Sequence, residues 1–468
     1  MDDQPGVTRK PRTSVELFAG GGGLAMAVHQ AGFRPLLFNE FNKRACETLV
    51  ASARKTLGTD GLTVIEEARP EIGRVRPEPP REGQPAPLYP ADVQELDLRA
   101  FEGQVDVLAG GPPCQPFSAG GVAKGDEDKR NMFPAMFRAI RHMRPKAVIC
   151  ENVRGLLRPS FADYFQYIVN ELQLPHQQRK ESTRWQDHDS ELRRTLASLP
   201  DNDSDSDHYK VVVVPVNAAD YGVPQVRNRV VIVAFRADLG VDVEAFEKHV
   251  KTPKYSEAAL FRSIRDGDYW RRHPDVPAHV RARVEARIPR FVKEDDCLPW
   301  RTLRDAIAGY GTDATLPKLP AVDLDRLDEK VDFGDEIGVE HHIGWPGARI
   351  YKGHTPNELD RPAKTVKAGV HGVPGGESVM LLDDRVRDPE SPDGWTYRHR
   401  YMTVRETARV MTFPDEWLGS GPRGEQMRQL GNAVPVVLGE FFASAVAEAL
   451  TAAEAPETDP SDVLVSTH

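Results

Sequence analysis

Four cysteines, Cys46, Cys114, Cys150 and Cys297, are spread through 468 residues with no C-x-x-C pair. That scarcity excludes a disulfide framework and a cysteine-based zinc site, and no metal centre is expected; a reducing interior is the natural home. Positive charge is also missing. At a net charge of -10 the chain has no global basic field to advertise a nucleic-acid partner. Long apolar runs are absent too. No stretch approaches the roughly 18 residues that span a bilayer, and "MDDQPGVTRKPR" lacks the apolar centre of a signal peptide, so a soluble cytoplasmic protein without membrane contact is expected. No fixed-period repeat is visible.

What is present is enough apolar material, 40% of residues, to bury a large core in two or three units. "TSVELFAGGGGLAMAVHQAGF" reads as a strand, a glycine turn, and a helix opening on Gly22 or Gly23 and ending near Gly32. "PLLFNEF" is a second strand, and a helix follows over about 43 to 56. Further strands are expected at 105–111, 146–153, 209–218 and 229–236. Helical patterns such as "MFPAMFRAIRHM" separate several of them, which argues for an α/β fold with a mostly parallel, doubly wound sheet. The proline-dense 69–90 stretch reads as an irregular surface insertion and 201–207 as a solvated loop. From about 236 to 400 the alternation fades into a second, less regular unit. Helical periodicity returns at "TVRETARVMTF" and "VPVVLGEFFASAVAEAL", and the last 15 or so residues read as a tail. One local basic stretch, 249–304, carries 13 Lys/Arg against 8 Asp/Glu with Tyr269, Trp270 and Trp300 interleaved. It suits either phosphate tracking or a solvated helical face.

Two places carry chemistry. Gly20 to Gly23 follow a strand and open a helix, where backbone can approach a ligand, and Glu40 lies about 20 residues on, where a carboxylate meets ribose hydroxyls. An adenosine-containing cofactor fits; so would a nicotinamide dehydrogenase, or a Glu40 that merely caps the next helix. The second place is "GGPPCQPFS" (110–118). Pro112, Pro113 and Pro116 stiffen a loop at the carboxyl edge of the sheet, which makes Cys114 a candidate nucleophile, although on position alone a lone cysteine is more often an inert small hydrophobe.

"GGPPCQPFS", then "ENV" (151–153), then "QVRNR" (225–229) closely resemble the DNA (cytosine-5) methyltransferase family, of the bacterial restriction-modification type. "LFAGGGGL", "NEF", "ADV" (91–93) and "QLGNAVPV" (429–436) resemble the family's first three motifs and its last, in order. The resemblance implies a Rossmann-like domain that binds S-adenosyl-L-methionine, with a smaller target-recognition domain. Carbon 5 of cytosine is a poor nucleophile, so by the resemblance the Cys114 thiolate adds to carbon 6 of a base flipped out of double-stranded DNA. Glu151 would hydrogen-bond the ring, Arg229 would touch the base, and Arg227 would order the phosphate and the site. Gln115, Ser118 and Thr365, the last in "RPAKTV", are implied substrate contacts. Phe18, Gly20, Gly22, Glu40, Phe41, Asp92, Val93, Pro113 and Asn432 are implied around the cofactor, with Phe41 on adenine and Asp92 at its amine. The C-terminal helix should return and complete the first domain's sheet.

The expected division is a catalytic domain at 12–240, target recognition at 241–400, a return at 401–452 and a disordered tail at 453–468. Departures from compact family members are the 69–90 insertion, an acidic loop near 190–208 and the arginine-rich stretch. Rival readings are a tRNA cytosine-5 methyltransferase, whose usual Cys-Phe-Thr string is absent, and a catalytically idle DNA-binding module. The Asp/Asn-Pro-Pro-Tyr motif of amino-methylating enzymes does not occur. A monomer acting on nucleoid DNA is expected, with a cognate restriction endonuclease or other defence protein as partner.

Overall fold

Eight strands build the central sheet: β1 (Thr13–Leu17), β2 (Arg34–Asn39), β3 (Thr63–Val64), β4 (Pro87–Tyr89), β5 (Val107–Gly110), β6 (Ala147–Val153), β7 (Tyr209–Asn217) and β8 (Asn228–Arg236). This is a computed structural model, describing residues 11–57, 61–65, 75–113, 131–200, 202–310, 316–368 and 378–455. The strand order is β3-β4-β2-β1-β5-β6-β8-β7. The first six run parallel, β8 is antiparallel to β6, and β7 is antiparallel to β8. β1, β2, β5 and β6 are buried on both faces, which is why their sequences are near-continuous apolar runs.

Helices α1 (Gly23–Gln30), α2 (Lys43–Thr56), α3 (Phe133–Met143), α4 (Ala162–Gln173) and α5 (Trp185–Ser198) connect these strands. One face of the sheet buries Leu108, Phe133, Met136, Ile140, Val148 and Ile168. The other buries Val28, Ala109, Ile149, Val233, Phe442 and Val446 beneath α1 and the C-terminal helix Val436–Ala453. The expected doubly wound, Rossmann-like α/β fold is what forms.

Several local expectations are corrected. The 69–90 stretch is not irregular throughout: β4 lies inside it, pairs with β2 and β3, and is buried because Ala86, Leu88 and Tyr89 are apolar despite their proline neighbours. The first half of the supposed acidic loop at 190–208 is the end of α5, which seats Leu192 in the core, and the described residues 202–208 are turns and coil. The C-terminal helix adds no strand; it covers a sheet face, packing so closely on α1 that a Cβ on Gly439 would meet the Ala27 methyl at 2.7 Å. Within Arg423–Ala453 an 18-residue window does reach the length and hydropathy of a membrane span. Its apolar residues Val436, Leu438, Phe442, Val446 and Leu450 are core residues.

Beyond β8, Leu303, Leu359, Ala363, Met380, Met402 and Trp417 share a core with Met26, Phe38 and Leu49. A separate small core of Leu260, Ile264, Tyr269, Trp270, Val280 and Val284 lies within the basic stretch. Tyr269 and Trp270 are therefore interior residues with Arg272 and Arg281 against their rings, not open stacking platforms. An antiparallel hairpin, Val379–Arg387 with Trp395–Tyr401, projects from this side.

Candidate active site

The carboxyl ends of β1, β2, β4, β5 and β6 lie along one edge of the sheet, and β8, running the other way, begins there. That edge collects most of the expected site residues. After β1 the chain turns through left-handed backbone at Phe18 (φ 56°), Gly20 (φ 55°) and Gly22 (φ 93°) before α1 starts. A non-glycine residue in that region is uncommon and marks a constrained functional loop. Glu40, just past β2, accepts the Gly20 N–H at 2.8 Å and the Asn42 N–H at 2.7 Å. The cap of α2 is Asn42, whose side chain accepts from Arg44 and Ala45, so Glu40 is a link between two loops and not the helix cap. Phe41 is 77% exposed, an unusual state for a phenylalanine beside a carboxylate. Asp92 accepts from the Gln94 N–H at 2.9 Å through one oxygen, and Val93 is buried beneath it.

Asn432 arrives from 390 residues away as the last residue of helix Arg423–Asn432, and its side is exposed. Its neighbours are held by Arg227. That guanidinium, 1% exposed, donates to the carbonyls of Gly431 at 2.8 Å, Ala433 at 2.9 Å and Val366 at 3.0 Å. Burial and the nearby charge of Arg229 lower its pKa to about 9, with Glu151 opposing the shift. Arg227 is thus an interior brace close to the charges of Arg229 and Glu151. The first loop is braced from the same segment: Trp417 Nε1 donates to the Gly21 carbonyl at 3.0 Å.

Glu151, two residues before the end of β6, is a buried carboxylate, with Arg229 Nε 2.9 Å from its Oε1. The register explains the meeting, because Val153 of β6 faces Arg229 of β8. Cys114, Gln115 and Ser118 lie outside the described residues. The base of their loop is described: the Pro113 carbonyl accepts from Met132 N at 3.1 Å, and the Pro112 carbonyl accepts from the Asn152 side chain at 3.1 Å. Pro113 is exposed and Pro112 buried. The thiols that are described are unreactive in character. Burial pushes Cys46 and Cys150 up to about 12, with Glu40 adding to the effect at Cys46, and the same causes raise Cys297 beside Asp295.

Thr365 donates its hydroxyl to the Val226 carbonyl at 2.8 Å, while Val226 N donates to Ala363. "RPAKTV" therefore pairs, strand-like, with "QVRNR". Gln225, fully buried, accepts from the Val366 N–H at 3.1 Å and cements that pairing. Asn152, Gln225 and Trp417 carry structural work that sequence reasoning missed. The first two sat inside quoted motifs; nothing in the sequence singled out Trp417.

The open Phe41 ring, the carboxylates of Glu40 and Asp92, and a glycine turn at a helix N-terminus form a donor and acceptor set that fits adenosine and amino-acid groups. Residues 88–174 and 186–448 match the family described as C-5 cytosine-specific DNA methylase. The type II methyltransferase M.Eco47II of Escherichia coli is 28% identical over 442 residues, covering 93% of this chain and 79% of its own. M.PspPI of Psychrobacter sp. (strain TA137) is 28% identical, covering 94% and 80%. The DNA (cytosine-5-)-methyltransferase M.ApeKI of Aeropyrum pernix is 27% identical, covering 94% and 99%. With a family match that runs from β4 to the C-terminal helix, the chain belongs to the C-5 cytosine-specific DNA methylase family and is a DNA (cytosine-5-)-methyltransferase that draws its methyl group from S-adenosylmethionine.

Proposed function

We propose that this enzyme methylates carbon 5 of a cytosine flipped from a specific double-stranded site, through a covalent adduct between Cys114 and carbon 6. The observation that carries the residue assignment is the Glu151–Arg229 pair at 2.9 Å, beside the pinned proline loop that leads into Cys114. Attack of the thiolate at carbon 6 forms the C–S bond and moves the ring's double-bond electrons toward carbon 5 and the N3 side. Glu151 accepts from the exocyclic amine and delivers a proton to N3, which neutralises the charge that attack places there, with Arg229 beside the carboxylate and contacting the base. The cofactor, when bound, supplies a methyl group activated for transfer. Removal of the carbon 5 proton then allows the C–S bond to break and returns Cys114 as thiolate.

Phe18, Gly20, Gly22, Glu40, Phe41, Asp92, Val93, Pro113 and Asn432 hold the cofactor in this reading. Phe41 takes the adenine face and Glu40 the ribose. Gln115, Ser118 and Thr365 contact the flipped nucleotide. Arg227 serves by fixing the peptides around Asn432. Residues 12–240 with 401–452 form the catalytic unit, and 241–400 reads the target. The named relatives include type II methyltransferases, which favours a partner endonuclease that cuts the same site; in this reading the enzyme acts on nucleoid DNA as a monomer.

The test is covalent trapping with duplex DNA carrying 5-fluorocytosine, since fluorine cannot leave as a proton does. A mass-stable adduct that maps to Cys114 and needs cofactor supports the mechanism. Turnover by Cys114→Ser would overturn it.

A further inference from the structure

Three residues past Glu151, at the same edge of the sheet, the chain opens a cleft of about 460 Å³ lined by Arg154, Gly155, Leu157, Arg158, Pro159 and Pro215. Its place is set by strand pairing. Arg154 follows β6 directly and donates to the Asn228 side chain at 3.3 Å, the residue next to Arg229. Pro215 on β7 faces Val230, and Val216 faces Arg229, so the far wall belongs to the same strand ends. The cleft therefore adjoins the Glu151–Arg229 pair without including either residue.

Its chemistry is two-sided. Leu157, Pro159 and Pro215 give an apolar floor, and Arg154 and Arg158 put two exposed guanidinium groups at the rim. Among the described residues neither arginine has a carboxylate partner, whereas many others do. Arg12, Arg144, Arg236, Arg262, Arg304 and Arg400 all pair with acids. In a chain of net charge -10, two exposed guanidinium groups without acids beside the Glu151–Arg229 pair are free to take an anionic partner from outside. A guanidinium binds a phosphodiester with parallel N–H donors, and a sugar packs on flat apolar rings.

We propose that this cleft is a DNA backbone subsite. Arg154 and Arg158 grip a phosphodiester flanking the target cytosine, and the attached deoxyribose rests on Leu157, Pro159 and Pro215. Both arginines are positioning residues: they hold the strand so that the flipped base reaches Glu151, and they read no sequence. The inference rests on the DNA reading above.

The experiment measures binding of plasmid-derived duplex DNA to the full chain as a function of salt, for wild type, Arg154→Ala, Arg158→Ala and the matching lysine variants. Neutralising one phosphate contributes about 0.9 to the slope of log affinity against log salt. Each alanine variant should lower that slope by part of that amount, raise the KM for DNA several-fold, and leave S-adenosylmethionine affinity as in wild type, while lysine restores the slope. An unchanged slope and KM in both alanine variants would overturn the subsite while leaving the DNA reading intact. A wild-type chain that fails to bind duplex DNA at any salt would overturn both. A fall in cofactor affinity that lysine does not rescue would assign the arginines a structural role and also overturn it.

Discussion

Arg229 Nε stands 2.9 Å from Glu151 Oε1, joining the second residue of β8 to the carboxyl-terminal half of β6 at the edge where Pro112 and Pro113 lie. The pair sets a guanidinium charge against the buried carboxylate that, in the proposed mechanism, meets the base. Glu151→Gln keeps the shape and removes the charge that a base amine and a protonated ring nitrogen would seek. Single-turnover methylation should fall by about 10²–10⁴-fold with cofactor binding preserved. A loss below tenfold would remove Glu151 from the chemistry.

Arg227 joins three segments through the carbonyls of Val366, Gly431 and Ala433. In Arg227→Leu those buried acceptors lose their donors, at a cost of about 3 kcal/mol. The urea midpoint should drop accordingly, and S-adenosylmethionine affinity should fall with it because Asn432 sits between two of the released peptides. Normal stability with lost activity would instead place Arg227 on the substrate.

Phe41 offers a ring that is 77% exposed and therefore contributes little to the core. Phe41→Ala should leave the urea midpoint in place and weaken cofactor binding by up to about tenfold, the range of one stacking contact. Calorimetric titration of the cofactor checks it; an unaltered Kd would move adenine elsewhere.

Glu16, buried on β1 with Oε1 unpartnered, has its pKa raised by burial to about 8, above the ordinary 4.5. The folded state then keeps a proton that the unfolded state releases between those values. Stability from this group is full below about pH 4.5 and declines as pH rises to about 8. Glu16→Gln should flatten that decline and raise the urea midpoint at pH 8. An identical pH dependence in the variant would contradict it.

Much of this was legible in sequence for identifiable reasons. β6 and β8 carry continuous apolar runs, as buried central strands do, and the edge strand β7 carries one too although its burial alternates. The glycine turn and α1 announced themselves by composition. β4 did not, because three residues behind a run of prolines hold too little periodicity to register, and only pairing with β2 makes them a strand. Tyr269 and Trp270 read as a nucleic-acid patch since basic and aromatic residues alternate in both a binding face and a small helical core. The role of Arg227 was hidden for a related reason: its motif neighbours show that an arginine is present, while burial depends on residues 366 and 431–433 folding over it.

The most direct test is bisulfite sequencing of DNA from a methylation-free host that expresses the intact chain, beside the same host expressing Cys114→Ala. The account predicts methylated cytosine in one fixed sequence context with the intact thiol and none with the variant. Equal methylation in both hosts would contradict it.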